Sequence, residues 1–241
     1  MSKIRLQVFL SRNGICSRRE ALSIVQSGLV MVNGKVVSEP SFPVDPETDQ
    51  IRYRGKIVGP KPSEYVMLHK PSGYVTTKED AFARKKVIDL LPPSLQHLNP
   101  VGRLDKETEG LLLLTNDGAL LQRLTHPKFD VGKEYFVRVK GCLEPHEQKQ
   151  LEKGVTIEGK KTSPAQISNL QCDGRVTDFH IVIHEGWNRQ IRKMCDSLGH
   201  EVRYLKRLRH GPVKLGNMPK GSWRRLTKIE IENLKKEHKN T

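Results

Sequence analysis

The sequence lacks long apolar runs and has few cysteines. No apolar stretch approaches the roughly 18 residues that a membrane span needs, and no positively charged segment followed by an apolar stretch opens the chain. The four cysteines are widely spaced and form no C-x-x-C pair, which argues against a zinc ribbon and against a disulfide framework. We therefore expect a protein of the reducing cytoplasm with no membrane partner.

Motifs that mark other functions are also absent. The chain contains no G-x-x-x-x-G-K-[ST] phosphate loop, which argues against a nucleotide-hydrolysing enzyme. His180 and His184 stand in the order H-I-V-I-H-E rather than H-E-x-x-H, so we predict ordinary strand histidines and no metal site. There is no internal repeat, no coiled-coil heptad and no low-complexity tract, only a basic tail. We expect a monomer.

The charge of the chain is strongly positive. The 42 Lys and Arg residues exceed the 27 Asp and Glu residues, which gives a net charge of +15 and a pI near 9.8. Such a balance favours a polyanionic partner, because each cation placed against a phosphate releases a condensed counterion. The alternative is a basic surface that serves only solubility.

The first part of the chain predicts two helices followed by a hairpin. Asn13-Gly14 interrupts the first helical segment, Ser17 begins the second helix and Gly28 ends it. Asn33-Gly34 lies between two apolar runs, which is a strong hairpin signal because both turn positions need a positive φ. Basic residues remain for the surface of this unit, where they either contact RNA or are simply solvated: Arg5, Arg12, Arg18, Arg19 and Lys35. Their clustering at a helix start favours RNA contact.

A stretch rich in proline and glycine separates this unit from the rest. The apolar pattern restarts at Tyr65, so we place the boundary near Lys61–Ser63, with domains of residues 1–61 and 62–241. The second domain alternates strands and short helices, which predicts an α+β fold with a mixed, mainly antiparallel sheet. The predicted strands are Gly110–Thr115, Tyr135–Val139, Val176–Ile183 and Trp223–Leu226, and the predicted helices are Ala119–Leu124, Pro145–Lys153, Arg189–Leu198 and one capped by Thr227 and Glu230.

Three segments of the second domain carry groups suited to chemistry. In the first, Asp105 lies between Arg103 and Lys106, just before a buried strand. A carboxylate near cations stays ionised and can attack an electrophilic carbon, although an aspartate in a turn is more often a cap or a surface ion pair. In the second, Tyr135 opens an alternating strand and offers a flat ring to a base or to the core.

The third segment places Arg189 and Arg192 three positions apart on a predicted helix. Basic residues at the start of a helix oppose its dipole. A phosphate or carboxylate partner would resolve that conflict, and a solvated face is the alternative.

The three segments in this order are G-R-L-D-x-x-T-x-G-L-L-L-L-T-N-D-G, K-x-Y and E-G-x-N-R-Q-I-R-K-M. Together they closely resemble the pseudouridine synthase family, and its bacterial RsuA/RluB branch in particular. The segment His69-Lys70-Pro71-Ser72-Gly73 looks like the K-P-x-G segment of that branch. The pattern R-L-x-x-F-L-S-R-x-G-x-x-S-R-R-E-A, followed by G-x-V-x-V-N-G-K, resembles a small RNA-binding module first recognised in a small-subunit ribosomal protein.

The resemblance implies a role for each matching residue. Asp105 matches the catalytic aspartate, Tyr135 the tyrosine that stacks on the target uracil, and Arg192 the arginine paired with the aspartate. Arg103 lies where the family inserts a side chain beside the flipped nucleotide. Trp187 stands where many relatives have arginine, which puts RNA contacts near that position in doubt.

The implied reaction isomerises a specific uridine of ribosomal RNA, with large-subunit rRNA favoured by similarity, and needs no cofactor because no redox or group transfer occurs. Asp105 would act at the sugar or at carbon six of the uracil after the base is flipped. The alternative function is a non-catalytic rRNA-binding assembly factor, which the charge and the N-terminal module suit equally well. That alternative does not explain why Asp105, Tyr135 and Arg192 are all present.

Overall fold

The computed structural model describes residues 3–59, 61–77 and 85–236, so the basic tail lies outside the described residues. Contacts divide the chain into two units. One runs to Glu64 and includes Asn116–Gly118, and the other takes in the chain from Tyr65 apart from that short segment.

The first unit contains the predicted two helices and hairpin, together with four further short strands that were not predicted. Ser17 and Glu20 form a capping box at the start of the second helix, which satisfies two backbone N–H groups that would otherwise lack partners. Asn33 and Gly34 both have positive φ in the hairpin turn. The helices are α1 (Leu6–Arg12) and α2 (Arg18–Gln26), and the strands are β1 (Ile4–Arg5), β2 (Val30–Val32), β3 (Lys35–Val36), β4 (Pro43–Val44), β5 (Ile51–Tyr53) and β6 (Lys56–Ile57). Strand β1 pairs with β4, and the other four form a sheet in the order β3-β2-β5-β6.

The second unit is built on one large sheet. Its strands are β7 (Tyr65–Lys70), β8 (Asn99–Pro100), β9 (Glu109–Thr115), β10 (Lys133–Lys140), β11 (Thr156–Ile157), β12 (Lys160–Lys161), β13 (Gln166–Cys172), β14 (Val176–Ile183), β15 (Val202–His210), β16 (Val213–Lys214) and β17 (Trp223–Arg225). Its helices are α3 (Gly118–Thr125), α4 (Pro145–Lys153), α5 (Gln190–Asp196) and α6 (Lys228–Lys236). Nine strands form the sheet in the order β13-β14-β10-β15-β9-β7-β17, with β16 on β15 and β8 on β9. This mixed, mainly antiparallel sheet confirms the α+β fold.

Strand β9 lies inside the large sheet, between β15 and β7. All of its residues are buried, as the run of four leucines predicts. Leu112 and Leu114 pack into one cluster of buried side chains, and Leu111 and Leu113 pack into a second on the other face. We call the first the Tyr135 cluster; besides Tyr135 it holds Leu104, Ile191 and Leu205.

The close approach of β15 to β9 requires glycine at position 110. These two strands run parallel, with Arg207 opposite Gly110. Gly110 has φ of 109°, and a Cβ there would lie 2.2 Å from the carbonyl oxygen of Arg207. Any other residue would therefore have to push β15 away from the start of β9.

The predicted helix over Arg189–Leu198 is shorter in the structure. Helix α5 covers Gln190–Asp196, and Arg189 precedes it in the left-handed region with φ of 53°. The expectation that Arg189 and Arg192 lie on one helix is therefore wrong. The helix starts where the Gln190 side chain accepts a hydrogen bond from the Trp187 backbone, a contact that apolar spacing does not reveal. Leu198 packs against the Tyr135 cluster without being helical.

The expectation of no disulfide framework is also corrected. Cys142 and Cys172 form a disulfide, whereas Cys16 and Cys195 are free. Both half-cystines lie beside Thr177 of β14, since Cys172 pairs with it across the sheet and the backbone of Leu143 donates to its hydroxyl. The two cysteines are 30 residues apart in the chain, and the pairing of β14 with both β10 and β13 brings them together.

Candidate active site

Asp105 lies in the loop of residues 101–108, which connects β8 to β9. Its side chain is half-buried, the flanking Arg103 and Lys106 are exposed, and Leu104 is buried in the Tyr135 cluster. Within the described part of the chain, the carboxylate of Asp105 accepts no hydrogen bond and makes no ion pair. Both of its oxygens are therefore free for a ligand.

The backbone on the N-terminal side of Asp105 is held by Thr76. The Thr76 hydroxyl donates to the Leu104 carbonyl at 2.7 Å and accepts from the Leu104 amide at 3.2 Å. Both groups are buried, so the pair of hydrogen bonds fixes the backbone of the residue next to the carboxylate.

The backbone on the C-terminal side of Asp105 is held by Lys70. This lysine is fully buried, and its ammonium donates to the carbonyls of Pro71, Lys106 and Thr108 at 3.1, 3.1 and 2.8 Å. The Gly73 amide also donates to the Lys106 carbonyl at 2.8 Å. Two residues of the K-P-x-G segment, Lys70 and Gly73, therefore hold the backbone of the loop that follows Asp105.

The same lysine places a positive charge close to Asp105. Burial lowers the pKa of Lys70 to about 8, and the negative charges of Glu107, Asp105 and Glu109 oppose that shift. The ammonium has no carboxylate within hydrogen-bonding distance among the described residues. Its charge is balanced only by backbone dipoles and by this acidic group of side chains.

Tyr135 lies on β10 with its ring turned into the sheet's buried face. It is 7% exposed and belongs to the same cluster as Leu104 and Ile191. Leu104 precedes Asp105, and Ile191 precedes Arg192. The fold therefore brings the three predicted segments to one cluster of side chains.

Arg192 is on α5, but the described residues show no ion pair between it and Asp105. Its guanidinium donates through Nη1 to the Val202 carbonyl at 3.0 Å, and its Nε is buried without a hydrogen-bond partner. The link between helix and loop is instead formed by Arg189, whose Nη1 lies 3.6 Å from Glu107 Oε2. Both of those side chains are largely exposed, so the ion pair contributes little energy.

The segment before α5 is ordered by two polar side chains that the sequence pattern did not identify. Gln190 is buried, and its amide donates to Glu185 Oε1 at 2.6 Å while its oxygen accepts from the Trp187 amide at 3.0 Å. Glu185 also accepts from the amide and hydroxyl of Ser163 at 2.9 and 3.1 Å. The only sequence feature that could have indicated this contact is the E-G-x-N-R-Q motif, because Glu185 is its first residue and Gln190 its last.

The basic residues predicted for the N-terminal module lie at its surface. Arg18 and Arg19 are the first two residues of α2 and are exposed. Arg5 and Lys35 are exposed, whereas Arg12 is half-buried and its Nε has no hydrogen-bond partner. Exposed cations on this module can meet a phosphate backbone without first breaking internal ion pairs.

The part of the chain that the structure describes holds neither a metal-binding cluster nor a membrane-spanning helix. No group of three or more His, Cys, Asp or Glu side chains there could hold a metal ion. His180 instead contacts Glu134 at 3.0 Å, and His184 contacts Asp130 at 3.2 Å. No described helix is both long and apolar enough to cross a membrane.

Comparisons with known proteins match both units. Residues 64–197 match the family described as RNA pseudouridylate synthase, and residues 4–51 match the S4 domain. The ribosomal large subunit pseudouridine synthase B of Bacillus subtilis (strain 168) is 39% identical over 233 residues, which cover 96% of this chain and 95% of that protein. The dual-specificity RNA pseudouridine synthase RluF of Escherichia coli (strain K12) is 35% identical and covers 97% of this chain and 79% of that protein.

A solved structure agrees with these matches. The crystal structure of a pseudouridylate synthase superposes with a TM-score of 0.69 at 30% identity, covering 96% of this chain and 99% of that one. The chain therefore belongs to the RNA pseudouridylate synthase family, is an enzyme of the isomerase class, and carries an N-terminal S4 domain.

Proposed function

We propose that this chain converts a specific uridine of large-subunit ribosomal RNA into pseudouridine, with Asp105 as the nucleophile or base. The observation that best supports this proposal is that the Asp105 carboxylate has no partner among the described residues. No described group occupies it, although Thr76 and Lys70 hold the loop on both sides. A free carboxylate on a fixed loop is suited to attack a carbon atom of a bound nucleotide.

The proposed reaction moves one bond. The bond between ribose C1′ and uracil N1 breaks, the base turns, and C1′ joins C5; C5 loses a proton and N1 gains one. A uridine in folded RNA must first be extruded, at a cost of roughly a few kcal/mol. Asp105 then attacks C1′, as glycosidase carboxylates do, or attacks C6 of the uracil. Both routes begin from the same free carboxylate.

Tyr135 is proposed to hold the detached base while it turns. Its ring packs in the cluster that also holds Leu104 and Ile191. A flat aromatic face can stack on a pyrimidine and keep it from leaving the site. The same cluster joins the Asp105 loop to α5, which supports a common site for all three segments.

The two domains are proposed to have different roles in the reaction. Residues 1–61 bind RNA and residues 62–241 carry out the chemistry, in the cytoplasm and as a monomer. S4 domains are RNA-binding modules. The cations of both domains that would contact the RNA backbone are Arg5, Arg12, Arg18, Arg19, Lys35, Arg103 and Arg189. The binding energy from these contacts would offset the cost of extruding the uridine.

Arg192 is proposed to pair with Asp105 once RNA is bound, because its Nε lacks a partner in the free chain. We expect Arg192→Ala to lower kcat about 100-fold, the order found when one donor to a developing charge is removed. Multiple-turnover tritium release from 5-tritiated uridine would measure it. Arg203→Ala, which removes an exposed arginine paired with Glu201, is the control and should keep wild-type kcat. A loss of RNA affinity alone in Arg192→Ala would show that Arg192 is only a phosphate contact.

The target is tested by mapping pseudouridines in rRNA from cells with and without the gene. We expect one large-subunit position to lose its modification and to regain it on complementation with the wild-type chain, because the similar Bacillus subtilis protein is named for that subunit. Loss of a small-subunit position instead would contradict the subunit assignment.

The alternative of a non-catalytic rRNA-binding assembly factor rests on the net charge of +15 and the S4 match, which suit an enzyme acting on rRNA equally well. The family match favours the enzyme. The alternative would require that Asp105→Asn supports ribosome assembly and leaves the pseudouridine content of rRNA at the wild-type level.

A further inference from the structure

Arg207 is a buried cation that forms no ion pair with any of the described residues. It is 1% exposed, and its Nε donates to the Leu111 carbonyl at 2.7 Å. Its Nη2 is buried and has no hydrogen-bond partner among the described residues. An unpaired charge that has been removed from water costs several kcal/mol in most proteins, so the position of this arginine calls for an explanation.

The neighbours of Arg207 add to that cost. Lys133 and His210 flank it, and burial together with the positive charge of Arg207 lowers the pKa of Lys133 to about 8 and that of His210 well below its usual value. His210 is therefore neutral, but the positive charge of Lys133 near Arg207 in a buried region destabilises the folded state. Stability alone therefore does not account for an arginine at this position.

The location of Arg207 gives it access to the base of the Asp105 loop. On one edge of β9, β15 pairs only with Glu109 and Gly110, and β8 pairs only with Leu114 and Thr115. The Arg207 side chain reaches the Leu111 carbonyl, which lies between these two pairings. The loop of residues 101–108 leaves where β8 ends and returns to β9 at Glu109, which pairs with Lys206 of β15. Arg207 follows Lys206, and its side chain therefore contacts β9 between the two ends of the loop.

A row of paired residues across neighbouring strands connects Arg207 to the strand that follows Asp105 and to the strand that carries Tyr135. Lys70 on β7 pairs with Gly110, Gly110 pairs with Arg207, and Arg207 pairs with Tyr135 on β10. Lys70 supports the loop through its C-terminal side. Arg207 is thus the residue of this row that links the strand following Asp105 to the strand that carries Tyr135.

We propose that Arg207 is a positioning residue for the pseudouridine synthase reaction: its side chain closes the gap between β15 and β8 along β9 and thereby sets the spacing between Asp105 and Tyr135. The inference rests on the proposed role of Asp105. A displacement of about 1 Å in such a constellation can cost about 100-fold in rate. The energetic cost of the buried charge is then the consequence of a side chain selected for its reach and for its hydrogen-bond donor to the Leu111 carbonyl.

The test compares Arg207→Met and Arg207→Lys with Arg209→Met. Arg209 lies on the same strand but pairs with Glu134 at 2.9 Å, away from the loop, so its loss reports the general cost of removing an arginine from β15. Each variant is assayed well below its melting temperature for kcat, KM and RNA Kd, and the hydrogen exchange of amides 101–108 is followed in each.

We expect Arg207→Met to lower kcat at least about 30-fold with KM and RNA Kd within about twofold of wild type, and to speed exchange of amides 101–108. Arg207→Lys, which can still donate to the Leu111 carbonyl, should recover most of the lost kcat. Arg209→Met should keep wild-type kcat and exchange. If Arg207→Met does not fold, Arg207→Gln replaces it with the same expected loss of kcat.

Wild-type kcat in a folded Arg207→Met or Arg207→Gln protein would overturn the inference, as would equal losses in the Arg207 and Arg209 variants. Asp105→Asn, assayed in parallel, separates the two claims. An active Asp105→Asn protein would contradict the proposed function itself. An inactive Asp105→Asn protein beside a fully active Arg207→Met protein would contradict only the role of Arg207.

Discussion

Replacing Asp105 with asparagine is expected to abolish uridine isomerisation, with kcat at least about 1,000-fold below wild type, the order seen when a catalytic nucleophile is removed. The amide has nearly the same shape but is a very poor nucleophile and base. Because the Asp105 carboxylate has no described partner, the substitution breaks no ion pair and leaves no buried group unsatisfied. Folding and RNA affinity should therefore stay close to those of the wild type.

Tritium release from 5-tritiated uridine in rRNA measures the reaction, and filter binding measures RNA affinity. Asp178→Asn is the matched control, because it removes a carboxylate whose two oxygens bind Arg138 at 2.7 Å on the opposite face of the sheet. We expect the control to keep wild-type kcat even if it melts at a lower temperature. Near-wild-type tritium release by Asp105→Asn would remove Asp105 from the mechanism.

Local signals predicted the secondary structure well where caps and turns define it. Helix α4 covers Pro145–Lys153 as predicted, since proline suits the first turn and Gly154, with φ of 83°, ends it. Strand β14 also has its predicted bounds. The start of α5 was missed because it depends on the Gln190 side chain, and apolar spacing carries no information about that contact.

The site was predictable only in part, for a similar reason. Motif resemblance selected Asp105 and Tyr135 as candidates, and Leu104 and Tyr135 belong to the same buried cluster. Nothing in the segment K-R-L-R-H indicates that Arg207 is fully buried, because a run of basic residues is usually a solvated face. Its burial follows from a parallel contact between strands far apart in the sequence. Thr76 gave no signal either, since its hydroxyl acts on a residue 28 positions away.

Lysine 70 explains how the loop is both fixed and charged. Its ammonium serves three carbonyls at once, so it holds the backbone while placing a positive charge near Asp105. Replacing Lys70 with methionine removes both contributions and deprives the buried Thr108 carbonyl of this hydrogen bond, at a cost of about 1–3 kcal/mol. We expect kcat to fall about 100-fold, as for other misplacements of a catalytic group, and Lys214→Met, at an exposed position of β16, to have wild-type kcat.

The dependence on pH should separate the two contributions of Lys70. Its pKa in the folded chain is about 8, whereas a lysine in water has a pKa of 10.5. Wild-type kcat should therefore decline as the pH rises through about 8 and the ammonium loses its charge. The free energy of unfolding, in contrast, should increase over the same pH range. Between about pH 8 and pH 10.5 the unfolded chain binds more protons than the folded one, so the contribution of Lys70 to the free energy of unfolding rises with pH, by on the order of 3 kcal/mol at most.

Lys133 has a similarly lowered pKa, but it is present in both the wild type and Lys70→Met, so the difference between the two proteins isolates Lys70. We expect the wild-type free energy of unfolding to increase relative to that of Lys70→Met from pH 8 to pH 10, measured by urea titration, while wild-type kcat falls over the same range. A kcat that stays flat from pH 7 to pH 9.5 would show that the charge of Lys70 does not act on Asp105. The folded chain keeps that charge at neutral pH although it lowers stability, and this is the pattern expected of a group retained for the reaction.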